Sequence, residues 1–191
     1  MNKKEIYPFI PKSTSYMKEG QFWDIPLSNG KFACGRVLQF DYRNEKKDSR
    51  SFLAGLIDWV GENLPTFDAI AGAKLLEQGR AHIRTIVFNE GAIRGFRPLE
   101  LDNIIPLHEL SHMPLIDCQL MRGFESLRLA TLEERKSLDI ASGWGLGVIK
   151  NAAEAYFVNK KPPVKRSPWK DLMELQEMVN SRSGTEMKNK Q

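Results

Sequence analysis

The chain has little cysteine, and its cysteines are not spaced for a disulfide framework or a zinc site. Its two cysteines, Cys34 and Cys118, lie far apart in the sequence and form no CxxC motif. Two cysteines so far apart are explained better as separate thiols than as the two halves of one disulfide. We predict that each thiol is a small buried hydrophobe, kept reduced in a cytoplasmic environment.

Long apolar runs are also missing. No segment approaches the roughly 18 uninterrupted apolar residues that a membrane-spanning helix needs. The first twelve residues contain lysines but lack the apolar stretch of a secretory signal. We therefore expect a cytoplasmic protein without a membrane partner. At 191 residues and 41% hydrophobic content, the chain can bury a core without disulfides or a metal.

Charge of one sign is absent from most of the chain. The net charge of +4 comes from residues 160–191, which contain eight basic and four acidic residues. The preceding 159 residues are balanced, with 20 basic and 20 acidic side chains. A neutral body argues against a nucleic-acid-binding face, since such faces carry clustered Lys and Arg.

The usual motifs of nucleophilic and nucleotide chemistry are missing as well. Ser111 and His112 are adjacent but do not lie in a GxSxG elbow. The glycines of the GWGLG segment, residues 143–147, lack the Lys-Ser/Thr of a P-loop and the third spaced glycine of a dinucleotide-binding motif. We interpret this segment as a flexible joint between helices, and we predict neither a catalytic residue nor a cofactor.

One motif does suggest metal chemistry. Residues 108–112 read His-Glu-Leu-Ser-His, which matches the HExxH pattern of zinc peptidases. That pattern works on a helix, which places His108 and His112 on one face for the metal and the glutamate beside the bound water. Pro106 and Pro114 leave about two helical turns at most, and the third histidine, His82, is distant in the sequence. We prefer a short polar turn whose histidines bind backbone or water, and we predict no metal.

The clearest positive signal is a hairpin from Gly20 to Asp41. Two apolar runs are separated by Ser28-Asn29-Gly30. Asn-Gly between apolar runs indicates a β-hairpin, because both residues tolerate the positive φ of a type I′ turn.

The same segment resembles the Immunity protein 26 family, the immunity partners of bacterial polymorphic toxins. The matching residues are, in order, Gly20, Phe22, Ile25-Pro26-Leu27, Asn29-Gly30, Phe32, Ala33 and Gly35-Arg36-Val37. Looser similarity continues to about Val158. The resemblance implies a β-rich domain that binds and neutralises one cognate protein toxin.

The rest of the chain predicts strands first and helices later. The expected elements are a charged loop at 44–50, a buried strand at 51–60, a helix from Thr66 to before Gly79, a strand at 81–89, short extended pieces at 92–105, and helices after Thr131 and at 148–158. Because strands and helices do not alternate regularly, we predict the α+β class. We expect a small antiparallel sheet or a partly open β-barrel with C-terminal helices.

We place a domain boundary near residue 159. Residues 1–159 form the predicted β-rich domain. Residues 160–167 are a Pro- and Lys-rich linker, and an amphipathic helix follows from Pro168 with a frayed end after Arg182.

The four tryptophans divide into two pairs. Trp23 and Trp59 lie inside apolar runs and are predicted to be core residues. Trp144 lies between glycines and Trp169 opens the tail helix, so we select these two as candidate partner-binding residues. The alternative for Trp169 is that it docks the tail helix on the domain.

Three functions of different classes follow. The first is a non-enzymatic immunity protein that binds a cognate toxin, with an acidic or neutral toxin favoured because the chain is not acidic. The second is a small β-barrel nucleic-acid-binding module that uses the basic tail. The third is a zinc-dependent hydrolase that uses His108 and His112. The sequence leaves the oligomeric state open.

Overall fold

The structure is a computed structural model that describes residues 6–111 and 117–162. These residues fall into two compact units. The first comprises residues 6–107 and 142–162, and the second comprises residues 108–111 and 117–141. The predicted boundary near residue 159 stays a prediction, and the predicted tail helix lies outside the described residues.

The described residues form nine strands and three α-helices. The strands are β1 (Gln21–Pro26), β2 (Phe32–Arg43), β3 (Lys46–Gly61), β4 (Leu75–His82), β5 (Ile93–Phe96), β6 (His108–Leu110), β7 (Gln119–Arg122), β8 (Glu125–Leu129) and β9 (Gly143–Trp144). The helices are α1 (Arg84–Phe88), α2 (Leu132–Ser137) and α3 (Val148–Phe157), with 3-10 turns at Thr14–Tyr16 and Leu99–Asp102.

The first unit is built on a six-stranded sheet in the order β5-β1-β2-β3-β4-β9. Neighbouring strands are antiparallel except for β4 and β9, which are parallel. The sheet does not close on itself, so of the two predicted arrangements the open sheet is found. The predicted α+β class is confirmed.

The predicted hairpin is present, but its turn is not type I′. Gly30 has a φ of +81°, whereas Asn29 is not among the residues with positive φ. The amide of Gly30 donates to the carbonyl of Leu27 at 3.1 Å, and the amide of Leu27 donates to the carbonyl of Lys31 at 2.8 Å. This is the three-residue hairpin loop that ends in a left-handed glycine.

The type I′ turn lies instead at Asn44 and Glu45, inside the predicted charged loop. Both residues have positive φ, 48° and 63°, and Arg43 pairs directly with Lys46. The loop prediction at 44–50 therefore holds for residues 44–45 and is wrong for residues 46–50, which are in a strand. Charged side chains do not prevent a strand where the backbone is paired, and β3 runs through this segment to include the predicted strand at 51–60.

Two predictions between residues 66 and 89 are also wrong. The predicted helix is a series of turns followed by β4, and the predicted strand at 81–89 is the end of β4 followed by the short helix α1. Thr66 does accept a hydrogen bond from the amide of Ala69, but only a turn follows it. Pairing of β4 with β3 from Leu75 to His82 overrides the local helical pattern.

The core of the first unit is centred on β1, β2 and β3. Trp23 is fully buried, as predicted, and its ring meets Phe52 edge to face at 5.8 Å between centroids. Trp59 is only half-buried, so its prediction as a core residue is wrong. It lies near the end of β3, between the exposed residues Asp58 and Val60.

Helix α3 confirms the prediction at 148–158 and packs against the first unit's sheet. Ile149, Ala152 and Ala153 are its buried residues. Beyond them, Tyr156 donates a hydrogen bond to Glu77 on β4 at 2.9 Å. The Glu154 carboxylate accepts two bonds from Ser28, from its amide at 2.7 Å and its hydroxyl at 2.8 Å.

The second unit is a three-stranded antiparallel sheet, β6-β7-β8, followed by α2. Its core contains Leu110, Cys118, Leu120 and Ala130. The predicted capping box is confirmed, since Thr131 and Glu134 exchange side-chain and backbone hydrogen bonds. The glycine of the two-residue β7–β8 turn, Gly123, has a φ of +61°.

None of the helices within the described residues has the length and apolarity needed to cross a membrane.

Candidate functional site

The residues that carry the family resemblance are packing residues of β1 and β2. Ile25, Ala33 and Val37 are completely buried. A Cβ atom at Gly35 would lie 2.2 Å from the ring of Trp23, so only glycine fits beneath that indole. Gly20 has a φ of +90°, and a Cβ there would lie 2.7 Å from the carbonyl oxygen of Arg97. These residues form the scaffold and present no reactive group at the surface.

Arg36, a charged residue of the same motif, anchors a buried polar cluster. Its guanidinium lies 3.2 Å from the Asp102 carboxylate and donates to the backbone carbonyl of Arg97. Arg97 also pairs with Asp102 at 2.9 Å, and the amide of Gly72 donates to the same carboxylate at 2.9 Å. Burial alone would raise the pKa of Asp102, but these hydrogen bonds, together with the charge of Arg97, outweigh it and lower the pKa. The cluster ties the loop at 99–104 to the sheet.

A second buried carboxylate holds the edge of the sheet. Asp24, only 1% exposed, accepts from Arg94 at 2.6 Å and from the amide of Ala92 at 3.0 Å. Both oxygens of the Asp24 carboxylate and both oxygens of the Asp102 carboxylate accept hydrogen bonds. This arrangement is expected of structural rather than reactive groups.

The HELSH motif does not have helical geometry in its described part. His108, Glu109 and Leu110 form strand β6, and His112 lies outside the described residues. His108 is exposed and pairs across the sheet with Arg122, whose Nη2 lies 3.0 Å from His108 Nε2. Both the helical zinc geometry and the preferred short polar turn are wrong for residues 108–110. Over the described ranges, no three His, Cys, Asp or Glu side chains are grouped to hold a metal ion.

The two candidate tryptophans have different outcomes. Trp169 lies outside the described residues. Trp144 is only 8% exposed, so the exposure on which its selection rested is wrong. Its ring packs on β4, where a Cβ at Gly79 would lie 2.3 Å from the indole nitrogen. The GWGLG segment, predicted as a flexible joint, also contributes a strand, since Gly143 and Trp144 form β9 at the edge of the six-stranded sheet.

An apolar patch lies in the same unit, where α1 meets the residues that follow Trp144. Phe88 is 62% exposed, Val87 is 45% exposed and Val148, at the start of α3, is 39% exposed. A Cβ at Gly147 would lie 3.7 Å from the Phe88 ring, which shows that the two segments touch. Large exposed aromatic and aliphatic side chains at one place are typical of protein-binding surfaces.

Buried hydrogen bonds hold this patch in place. The Leu146 carbonyl accepts from the Thr85 hydroxyl at 2.7 Å and from the Asn89 side-chain amide at 2.8 Å. Thr85 and Asn89 are buried on the inner side of α1, while Val87 and Phe88 point outward. The patch therefore has fixed geometry, which reduces the entropy lost when a partner binds.

Sequence reasoning missed Phe88 because the segment 81–89 was interpreted as a strand. A strand of alternating residues would bury one of Val87 and Phe88, whereas a short helix exposes both. Two signals were available, the polar Thr85 and Asn89 spaced four apart and the turn at Glu90-Gly91.

The comparisons with known proteins bear on the scaffold that presents this patch. Residues 18–96 match the family model of Immunity protein 26, a span that ends at the last residue of β5 and includes β1 to β5 with α1. No curated protein gives a significant match to the chain, and no solved structure does. The resemblance seen in the hairpin is thereby confirmed: residues 18–96 of the chain are similar to the Immunity protein 26 family.

Proposed function

We propose that the protein is a non-enzymatic immunity protein that neutralises a cognate polymorphic toxin by binding to it. The observation that carries the proposal is the match of residues 18–96 to an immunity-protein family. This match supports an immunity function in general, and direct binding to one toxin is the mechanism that we add to it.

The use of the motif residues supports a binding role. The motif residues Gly35, Arg36 and Val37 are buried, where they pack in the core or form an ion pair. Recognition of a partner must therefore depend on other, exposed residues. Burial raises the pKa of the Cys34 thiol well above its ordinary range, which suppresses thiolate chemistry at the one reactive group of the hairpin. We place the protein in the bacterial cytoplasm, where it meets a toxin made or delivered there.

Co-expression with the toxin encoded beside the gene tests the proposal. We expect cells that make the toxin alone to die and cells that also make this protein to survive. The two proteins should then co-purify from a mixture of purified components. Equal killing with and without this protein, together with no complex, would refute the proposal.

Two assays address the other function classes. Zinc content of chelator-free protein, with His108→Ala as the comparison, tests the hydrolase. Stoichiometric zinc that His108→Ala removes would favour a metal site. Binding of DNA or RNA by a chain lacking residues 160–191, with a steep dependence on salt, would favour the nucleic-acid module.

A further inference from the structure

Two arginines flank the apolar patch on α1. Arg84 begins the helix and lies one turn from Phe88, on the same exposed side. Arg50 lies next to it, because the amide of Ile83 donates to the Arg50 carbonyl at 2.8 Å and Ser51 pairs with His82. Hydrogen-bonded neighbours across the edge of the sheet thus place both cations beside the patch.

Both arginines are exposed, and neither forms an ion pair within the described residues. By contrast, the nearby Arg80 forms ion pairs with Asp41 at 3.1 Å and with Asp48 at 3.2 Å. His82 lies between the unpaired cations, and its Nδ1 accepts from the amide of Arg84 at 3.0 Å. Burial, followed by the charges of Arg84 and Arg50, lowers the pKa of His82, which keeps the ring neutral near pH 7.

The α1 surface is therefore an apolar centre with a positive rim. We define its centre by Val87, Phe88, Leu146 and Val148. Its rim carries the cations Arg50 and Arg84, with the neutral ring of His82 between them. Because neither guanidinium has an ion-pair partner within the described residues, both are available to pair with carboxylates of a ligand. An apolar centre surrounded by a polar rim is also the usual composition of a protein–protein interface.

We propose that the α1 surface is where the toxin docks, and that the toxin presents an acidic face with an apolar centre. The inference rests on the proposed function and adds the place of binding and the chemistry of the partner. Phe88 is the anchor, since a large exposed ring on a fixed helix loses little entropy on burial. Arg50 and Arg84 pair with carboxylates of the toxin and steer its approach.

A protein surface fits this site better than a nucleic acid does. Nucleic-acid sites combine several phosphate-binding cations with aromatic rings on which bases stack. The α1 surface has two unpaired arginines and one aromatic ring at its centre, and the other central residues are aliphatic. Aliphatic side chains gain from burial against apolar protein groups and provide no stacking platform for bases.

The test is the affinity of the full-length protein for the purified neighbouring toxin. The variants are Phe88→Ala and Arg84→Glu, and the matched controls are Ile105→Ala and Lys74→Glu. Ile105 is exposed to 61%, as Phe88 is to 62%. Lys74 is exposed and precedes β4, so it lies about 26 Å along the strand from His82. All four side chains are exposed, and circular dichroism and thermal unfolding verify the fold of each variant.

We expect Phe88→Ala to weaken binding by about 30-fold or more, as for a central interface residue. Arg84→Glu should weaken binding by about 10-fold or more, chiefly through slower association, and wild-type binding should weaken as salt rises. The two controls should bind as the wild type does.

The outcomes separate this inference from the proposed function. If the wild type binds the toxin and both α1 variants bind equally well, the docking site is wrong and the proposed function stands. If the wild type does not bind the toxin at all, the proposed function fails and this inference fails with it. Binding of the full-length protein to a short DNA or RNA duplex that is lost in Arg84→Glu would overturn the protein partner in favour of nucleic acid.

Discussion

The guanidinium of Arg36 lies 3.2 Å from the carboxylate of Asp102, and neither side chain reaches solvent. Removing one charge of a buried pair leaves the other without compensation, which costs more than the pair contributes to stability. We expect Asp102→Asn to lower the free energy of unfolding by about 3–5 kcal/mol, measured by urea denaturation.

The control for this variant is an exposed pair of the same kind. Lys31 and Glu62 lie 3.6 Å apart with 45% and 82% of their side chains exposed. Glu62→Gln should change the free energy of unfolding by less than about 0.5 kcal/mol. Equal effects of the two substitutions would show that Arg36 and Asp102 do not form the buried pair described.

The contact between Gly35 and Trp23 gives a steric test of the family motif. Gly35→Ala introduces a methyl group that would lie 2.2 Å from the indole, so the ring or the strand must move. We expect a loss of about 3 kcal/mol in unfolding free energy and a shift in tryptophan fluorescence. Gly143→Ala is the matched control, since a Cβ at Gly143 has nothing within 4 Å. An unchanged free energy of unfolding in Gly35→Ala would contradict the close contact between Gly35 and Trp23.

The fold class was predictable because it depends on patterns that are local and strong. The β1–β2 hairpin, the Thr131 capping box and α3 each have a turn or capping residue beside a periodic apolar run. The errors lie where pairing between distant segments decides the structure. Phe67, Ile70, Leu75 and Leu76 have helical spacing, yet β4 begins at Leu75 because β3 offers a row of backbone partners there.

The site was harder to predict than the fold. Trp144 was selected for the glycines around it, but those glycines do not show that its ring fills the space above Gly79. Phe88 was missed because exposure on a five-residue helix depends on which of its sides faces the sheet. The polar pair Thr85 and Asn89, spaced four apart, is a weak local signal of that orientation, and interpreting residues 81–89 as a strand obscures it.

The turn at Asn44 and Glu45 provides a stabilising substitution. Glu45 has a φ of +63°, a left-handed conformation that costs a non-glycine residue about 1 kcal/mol. We expect Glu45→Gly to raise the free energy of unfolding by up to about 1 kcal/mol. Lys46→Gly, at the adjoining strand residue, should lower it by about 0.5–1 kcal/mol. Changes of the same sign would rule out the type I′ turn.

The second unit has a carboxylate that reports acid unfolding. Hydrogen bonds, first from Arg128 and then from the amide of Thr131, lower the pKa of Glu134 from 4.5 to about 2. Because the folded-state pKa is depressed, its contribution to stability is present above pH 4.5 and is lost as the pH falls toward 2.

Nuclear magnetic resonance titration of the Glu134 carboxyl carbon measures this pKa directly. We expect Arg128→Ala to raise the pKa of Glu134 toward its ordinary value, because the hydrogen bond from Arg128 lowers that pKa the most. A Glu134 carboxyl that titrates near 4.5 in the wild type would show that the pair with Arg128 does not form in solution.

We expect the two thiols not to react with thiol reagents in the folded protein. The thiols of Cys34 and Cys118 are reduced and completely buried, and burial also raises the pKa of Cys34. We expect no reaction with a water-soluble disulfide reagent until denaturant is added, and two equivalents per chain afterwards, as the sequence holds two cysteines. Ser49→Cys, at an exposed position of β3, should add one fast-reacting thiol. Rapid native-state labelling without that substitution would contradict the burial.

The Gly79–Trp144 contact joins a residue inside the matched family span to one well beyond it. A fragment cut at Phe96 to follow the family limits would retain β4 but lose both its parallel neighbour and the indole that fills the hollow above Gly79. Such a fragment would present a bare strand edge to other chains and would tend to aggregate. Relatives that carry the hairpin domain without the later tryptophan are expected to have a bulkier residue in place of that glycine.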